Sequence, residues 1–565
     1  MPQHVGAGPE GPVIERPRPG AVDVRPSPRG PANGVAHRPS PVAPAEPGPA
    51  VAPAASPSLP TPSAPRGAAP ETSWLPALAV LVVGMFMSIL DTSIVNVALP
   101  TIQIELGIDS SDGQWVSTAY SLTEGVMVPI SAWLGYRYGS KKIYLMCLAG
   151  FTAASALCGL AGGLESLVAF RILQAVPGGV IPVTCMVMLR RMVPPERLGA
   201  AMGLYGLGVI VAPAIGPTLG GVLVEYTDWR FIFFINIPIG VLGVVAAAMV
   251  LREEPGHPDR PLDVLGFLTI AGGLFALLLA LEEGKDRGWT SYPILILFTV
   301  AALLVALFVV VELEVDRPLL DLRVFSHFQF VLPLVLVAAV SMAMFASAFF
   351  IPQFLQGPSR GLTPVNTGLM LIPQAIVLAV LLPMAGLLYD RVGARWLAVP
   401  GLLLAGTGLL VLSRINIDIP NGDLVLGMCV LAAGVGLGMM PVMSSGLGAV
   451  PTASAESASS FNTLAQRVSQ ALGLGLLNAF LTVAGAQGLA DRSGLLNTAD
   501  PQVAGLQQSQ VELYALYQRT AGIAQADAFS SAFLAIGVIC FAGAVLALFM
   551  PSGKPAAGSS AGMAH

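Results

Sequence analysis

From about residue 75 to residue 550 the chain is a succession of about fourteen apolar runs with short polar breaks between them. They fall at roughly 75–99, 113–135, 142–162, 166–189, 199–224, 229–251, 264–283, 292–315, 329–355, 366–389, 397–415, 423–449, 459–485 and 528–550. About twenty apolar residues suffice for a helix to cross the hydrocarbon of a bilayer. Within lipid the backbone must satisfy its own hydrogen bonds, which for segments of this kind means helices. The expected fold class is therefore all-α integral membrane, with about 14 transmembrane helices and both termini on one side. Only 11% of the residues are charged against 54% hydrophobic, where a soluble domain carries about 25% charged residues.

Arginine and lysine in the short loops set the orientation. With the N-terminus inside, the inner loops hold Arg137, Lys141, Lys142, Arg190, Arg191, Arg197, Arg252, Arg260, Arg317, Arg323, Arg391 and Arg395. The outer loops hold Arg230, Lys285, Arg287, Arg360, Arg414, Arg492 and Arg519, so the bias favours cytoplasmic termini. Residues 1–72, rich in Pro, Ala and Gly, are expected to be a disordered cytoplasmic tail without a signal-peptide apolar region. Residues 551–565 read as a second cytoplasmic tail. The one long outer loop is expected over 486–527, with a short amphipathic helix about 507–518 over the outer mouth.

The stretch 73–133 organises the rest, because each of its two apolar runs holds one acid, Asp91 and Glu124. A carboxylate inside the bilayer costs a few kcal/mol, so it faces the bundle interior and is commonly functional. Two such acids on adjacent helices suggest a proton or cation pathway. The histidines (His4, His37, His257, His327, His565) all lie in tails or loops, which leaves carboxylates as the proton carriers. Arg171, early in the fourth run, either pairs with one of these acids or snorkels outward. Asp91 has a structural alternative, hydrogen-bonded to Thr92 or Asn96. Glu124 has one too, paired with a neighbouring helix. Arg467, beside Gln466 and Gln470, lines the C-terminal half of a cavity or packs on helix-end carbonyls. The cysteines Cys147, Cys158, Cys185, Cys429 and Cys540 sit singly in apolar runs, with no metal spacing or disulfide framework.

An internal repeat is also present. Pro129, Leu134, Arg137, Gly139 and Lys141 match Pro383, Leu388, Arg391, Gly393 and Arg395 at one constant offset, as in transporters built from repeated bundles. The pair of runs at 264–283 and 292–315 has no counterpart and reads as an insertion. The resulting division is a six-helix bundle over 73–251, two inserted helices with linkers over 252–328, and a second six-helix bundle over 329–550. In the second copy Asp390 precedes Arg391, and its carboxylate can cap the next helix. In the first copy Tyr136 stands in its place.

These motifs resemble the fourteen-helix drug:proton antiporter family of the major facilitator superfamily. The loop pattern Gly-x-Leu-x-Asp-Arg-x-Gly-Arg-Arg/Lys is met over 386–395, except that Ala394 replaces an arginine. The first-helix pattern Leu-Asp-x-Thr-Ile-Val-Asn-Val-Ala-Leu-Pro is met over 90–100, with Ser93 for Thr. The second helix opens Trp-Val-x-Thr-Ala-Tyr-x-Leu over 115–122, and Trp-Arg-x-x-Phe-x-x-Asn-x-Pro-x-Gly is met over 229–240. Gly216, Pro217, Gly220 and Gly221 match the antiporter motif Gly-Pro-x-x-Gly-Gly. Taken alone, those glycines equally suit close helix packing.

The resemblance implies two six-helix bundles plus two inserted helices, and a bacterial inner-membrane antiporter that exports amphipathic or cationic molecules against protons by alternating access. It implies proton coupling through Glu124, Asp91 and Arg171, and gating through Arg137, Gly139, Lys141, Asp390, Arg391, Gly393 and Arg395. The expected substrate cavity includes Asn96, Tyr120, Gln174, Gln353 and Arg467. An apolar wall over Met342, Phe345, Phe349, Phe350 and Phe354 competes with ordinary core or lipid contact. One proton moved through about 100 mV supplies roughly 2.3 kcal/mol, near fifty-fold accumulation. No Gly-x-x-x-x-Gly-Lys-Ser/Thr and no His-Glu-x-x-His occur, which disfavours an ATP-driven pump and an intramembrane enzyme. No cofactor, metal or nucleic-acid partner is expected. The expected partners are small-molecule substrate, protons and membrane lipid, with a periplasmic adaptor in some relatives bearing the Glu124 type of second helix, and the protein is expected to be a monomer. Export of an endogenous lipid or secondary metabolite is the alternative. A non-transporting receptor or scaffold is a remote one.

Overall fold

A computed structural model describes residues 74–551, apart from 195–196, 254, 258, 260, 316, 358–359, 452–453 and 496–509. The tail expected over 1–72 and all but the first residue of 551–565 lie outside the described residues. Fourteen long helices follow one another among the described residues. In the first half they are α1 (Trp74–Leu106), α2 (Ser110–Tyr138), α3 (Ser140–Gly159), α4 (Leu164–Met192), α5 (Leu198–Tyr226) and α6 (Phe231–Val250). Two more, α7 (Val264–Arg287) and α8 (Tyr292–Glu314), precede the second half. That half holds α9 (Phe328–Gln356), α10 (Pro364–Val392), α11 (Arg395–Leu412), α12 (Asn421–Gly448), α13 (Ala455–Leu495) and α14 (Gln510–Ala547).

Twelve of these are long and apolar enough to cross a membrane. The other two, α2 and α13, depart from the rule because of what they bury: Thr118, Glu124 and Ser131 on α2, and Ser459, Ser460, Asn462 and Thr463 on α13. The two most polar spans meet each other across the centre of the molecule. That placement keeps their polar faces away from lipid.

The helices form two six-helix bundles with an inserted pair. In the first bundle α1 packs on α5 and α6, and α4 on α2 and α3. In the second, α11 packs on α12 and α14, and α9 on α12, α13 and α14. The bundles meet mainly along α5 and α10, with α2 and α4 facing α13. The inserted α7 and α8 pack on each other, and α7 lies along both α2 and α13. Its Leu278 fills a notch at Gly125 of α2, while Trp289, just past its end, sits over Gly475 of α13.

The outer loop differs from expectation. Helix extends to Leu495 and resumes at Gln510, so it occupies both flanks of the 486–527 region. The stretch from 510 to 518 belongs to the last span instead of a separate helix, and 507–509 lie outside the described residues. Hydropathy marks only the lipid-embedded part of a helix, whereas Ala, Leu, Gln and Glu carry the helix onward into the polar zone.

The α5–α10 seam is closed by missing side chains. Gly199 and Gly386 bring their backbones together, and a Cβ on Gly203 would lie 2.7 Å from the Leu382 carbonyl oxygen. Gly203→Leu is therefore expected to force the two bundles apart at this level and cost about 1–3 kcal/mol. The check is the thermal unfolding midpoint of the purified protein in detergent, which should fall. An unchanged midpoint would mean that the seam yields freely.

Candidate functional site

Asp91 lies on α1 and Arg171 on α4, and both are buried. Arg171 does not snorkel. Its Nη1 donates to Asp91 Oδ2 at 2.5 Å and to Gln174 Oε1 at 2.8 Å, and its Nε donates to the Val116 carbonyl at 3.2 Å. The other carboxylate oxygen, Oδ1, accepts from Gln174 Nε2 at 2.9 Å and Asn236 Nδ2 at 2.8 Å. Asn236 Nδ2 also lies 3.0 Å from Ser155 Oγ, which itself donates to the Phe233 carbonyl at 2.9 Å. The Tyr120 ring covers the guanidinium at 3.9 Å. One acid thereby ties α1, α4 and α6 together, with α2 and α3 held through Val116, Tyr120 and Ser155. A buried ion pair survives only when its remaining lone pairs and protons are satisfied, and here that condition is largely met.

The alternative reading of Asp91, as an acid held by Thr92 or Asn96, does not apply. Thr92 donates to the Ser88 carbonyl at 3.4 Å, and Asn96 Oδ1 accepts from Ser117 Oγ at 3.1 Å. Gln174 and Tyr120, expected on the cavity wall, are instead fully buried inside the Asp91–Arg171 network. Asn96 and Gln353 remain exposed. Asn236 and Ser155 were not among the expected site residues. Asn236 stands inside the 229–240 motif, which is the signal that could have found it; a lone serine in an apolar run gives none.

Glu124 is the second buried acid, and its partner comes from the other bundle. Arg467 of α13 donates through Nη2 to Glu124 Oε1. One turn before Arg467, Leu464 packs against Val128, Val183 and Val187 of α2 and α4. This contact seats α13 against the first bundle and delivers Arg467 to Glu124. The sequence placed Arg467 on a cavity wall or at helix-end carbonyls; the structure makes it a cross-bundle ion partner.

At the arginine-rich end of the helices, the repeated loop motif closes the bundles on each other. Gly139 and Gly393 have φ values of 88° and 86°, which let the chain reverse between spans. Asp390 does not cap the helix that follows it. Its Oδ1 and Oδ2 accept from the backbone N–H groups of Gly199 and Ala200 at 3.1 and 3.3 Å, at the start of α5 in the opposite bundle. A carboxylate at a helix N-terminus is favourable both as a cap and toward the helix dipole. In the other copy, Lys141 Nζ donates to the Ala248 carbonyl at 3.0 Å, and Arg137 stacks over Trp133 and Tyr138. Arg391 is exposed and Arg395 half-buried. Close by, Arg191 of α4 pairs with Glu456 of α13, and Arg190 donates to the Val450 carbonyl at 2.5 Å.

The antiporter-type glycines seat α5 on α1 at the sequence next to Asp91. A Cβ on Gly216 would strike Ser93, and one on Gly220 would press Ile94 at 3.3 Å, while Gly221 has open space. The helix runs through Pro213 and Pro217 without interruption.

The sequence profile described as Major Facilitator Superfamily matches residues 81–474. The chain belongs to that superfamily. It is 30% identical over 490 residues to the uncharacterized MFS-type transporter YhcA of Bacillus subtilis, covering 84% of this chain and 92% of that one. Against the multidrug resistance protein Stp of Mycobacterium tuberculosis it is 33% identical over 400 residues, 70% of this chain and 74% of Stp. The solved proton:xylose symporter XylE shares the fold, with a TM-score of 0.56 at 12% identity over 85% of this chain and 96% of its own. The protein is thus a multi-pass membrane transporter of the superfamily with multidrug-transporter relatives.

Arg171→Ala would leave Asp91 buried without its cation, at a cost of about 3–5 kcal/mol. Pairing Arg171→Gln with Asp91→Asn is expected to recover part of that loss, since residues in one network are not additive. Thermal unfolding of Arg171→Gln, Asp91→Asn and the double variant measures this. Additive losses would mean that the pair is not coupled.

Proposed function

We propose that the protein is a proton-coupled antiporter that exports amphipathic small molecules across the bacterial cytoplasmic membrane, with both termini in the cytoplasm. The observation that carries this reading is the Glu124–Arg467 pair, a buried carboxylate whose single arginine partner belongs to the other bundle. A proton on Glu124 cancels its charge, loosens Arg467 and removes an electrostatic tie between the bundles. Loss of the proton restores the tie. A titratable group placed there biases a rocking equilibrium directly, which is what coupling requires.

Asp91 and Arg171 have a different part in this scheme. Their partners all come from within the first bundle, so their bonds persist while the bundle moves as a body. They brace the bundle and set the field in which Glu124 exchanges its proton. The Asp390 cap on α5 and the Arg191–Glu456 pair hold the inner face shut in the arrangement described. Stp and other similar proteins named as multidrug transporters support the substrate class. A monomer is sufficient for this mechanism, since both halves of the site lie in one chain.

The test is uptake by energised inverted vesicles of a panel of amphipaths that includes chloramphenicol. Wild-type uptake should collapse with a protonophore. Glu124→Gln should lower it at least tenfold while leaving downhill exchange of unlabelled for labelled substrate, because the neutral side chain mimics the protonated state. Protonophore-sensitive uptake indifferent to Glu124→Gln would place the proton elsewhere.

A further inference from the structure

The charges inside the membrane-spanning region are arranged in a way that bears on what can be carried. Asp91 is matched by Arg171 and Glu124 by Arg467, so each carboxylate described at the centre of the two bundles has its own guanidinium. The two members of the cross-bundle pair are not equally accessible. The Arg467 side chain keeps 25% of its surface exposed and that of Glu124 only 3%. Arg467 reaches Glu124 across the contact of α13 with α2, which puts the pair between the bundles. On its exposed side the pair therefore presents its cation, with the carboxylate behind it. The other exposed groups expected on the path, Asn96 and Gln353, are uncharged amides.

We propose that this transporter selects uncharged amphipathic substrates and discriminates against permanent organic cations, through the guanidinium of Arg467 screening Glu124 from the cavity. The proposal rests on the reading of Glu124 as the proton site. A cation approaching Glu124 must sit against Arg467 or expel it into the same low-dielectric space, and like charges there repel far more strongly than in water. An anion is disfavoured for a different reason. By taking Arg467 for itself it would free Glu124 and make protonation easier, so anion and proton would bind together. Linkage of that sign drives substrate and proton the same way, which opposes export against an inward proton gradient. An uncharged molecule meets neither obstacle. It leaves the Glu124–Arg467 pair intact, and its coupling to the proton comes through the rocking equilibrium that both of them bias.

The experiment uses the purified full-length protein and three probes of similar size: chloramphenicol (uncharged), tetraphenylphosphonium (a permanent cation) and 8-anilinonaphthalene sulfonate (an anion). Equilibrium binding is measured for wild type, Arg467→Gln and Arg467→Lys, with folding checked by gel filtration and thermal unfolding. Wild type should bind chloramphenicol at least about tenfold more tightly than tetraphenylphosphonium. Arg467→Gln should reverse much of that preference by gaining cation affinity about tenfold, whereas Arg467→Lys, which keeps the charge, should not. Equal wild-type affinities for the neutral and cationic probes, or no gain of cation affinity in a folded Arg467→Gln, would overturn the charge screen. Uptake of the same probes into proteoliposomes, with and without a protonophore, separates the two readings. Selective uptake of the neutral probe that ignores the protonophore keeps the charge screen and removes the proton drive. Protonophore-sensitive uptake of the cation equal to that of the neutral probe does the reverse.

Discussion

A charge held out of water must find an opposite charge, and the placement of every other part of this transporter follows from how two acids meet that demand. The desolvation cost of a buried carboxylate and guanidinium exceeds what imperfect pairing returns. Asp91 solves the problem inside one bundle, with donors from α4 and α6 converging on both of its oxygens. Glu124 solves it across two bundles with Arg467. The same physical requirement is thus met within one bundle in one place and across two bundles in the other. The difference lies in which helix supplies the arginine and in the two amide donors that Asp91 has besides.

Separability needs surfaces that can part without leaving unfilled space, and small residues supply them. Along α5 and α10, the approach of Gly199 to Gly386 and of Gly203 to Leu382 brings backbone against backbone. Asp390 adds a directional contact to this smooth seam by accepting two amide hydrogens at the start of α5. The seam supplies proximity, the carboxylate supplies register, and the Arg191–Glu456 pair adds a tie between α4 and α13.

Much of this was legible in the sequence. Fourteen apolar runs mapped onto fourteen helices because the hydrophobic requirement of a span is written in consecutive residues. The motif around Asp390 was recognisable because its glycines and charges are close together in sequence. What Asp390 touches was not, since the start of α5 is nearly two hundred residues away and no local pattern names it. Likewise Arg171 announced a partner but left open which one. Tyr120 and Gln174 read as cavity residues because a polar group in a span suggests access to solvent, yet a buried ion pair consumes such groups as its own lining. Asn236 stayed hidden for the same reason: its role is defined by the carboxylate it meets, one hundred and forty-five residues earlier. The last spans were misjudged in length because hydropathy reports the solvent and helix propensity reports the backbone.

The inserted pair has a consequence of a mechanical kind. Through α7 it lies along both halves, with Leu278 seated at Gly125 and Trp289 over Gly475. A body resting on two moving parts cannot follow both. The hairpin thus lies against the first half through an aliphatic tip at Gly125 and against the second through an indole over Gly475. The flank bearing the hairpin then behaves as the spine of a book and the opposite flank as its fore-edge. Two halves that share a repeated loop motif are thereby made unequal by a segment that belongs to neither.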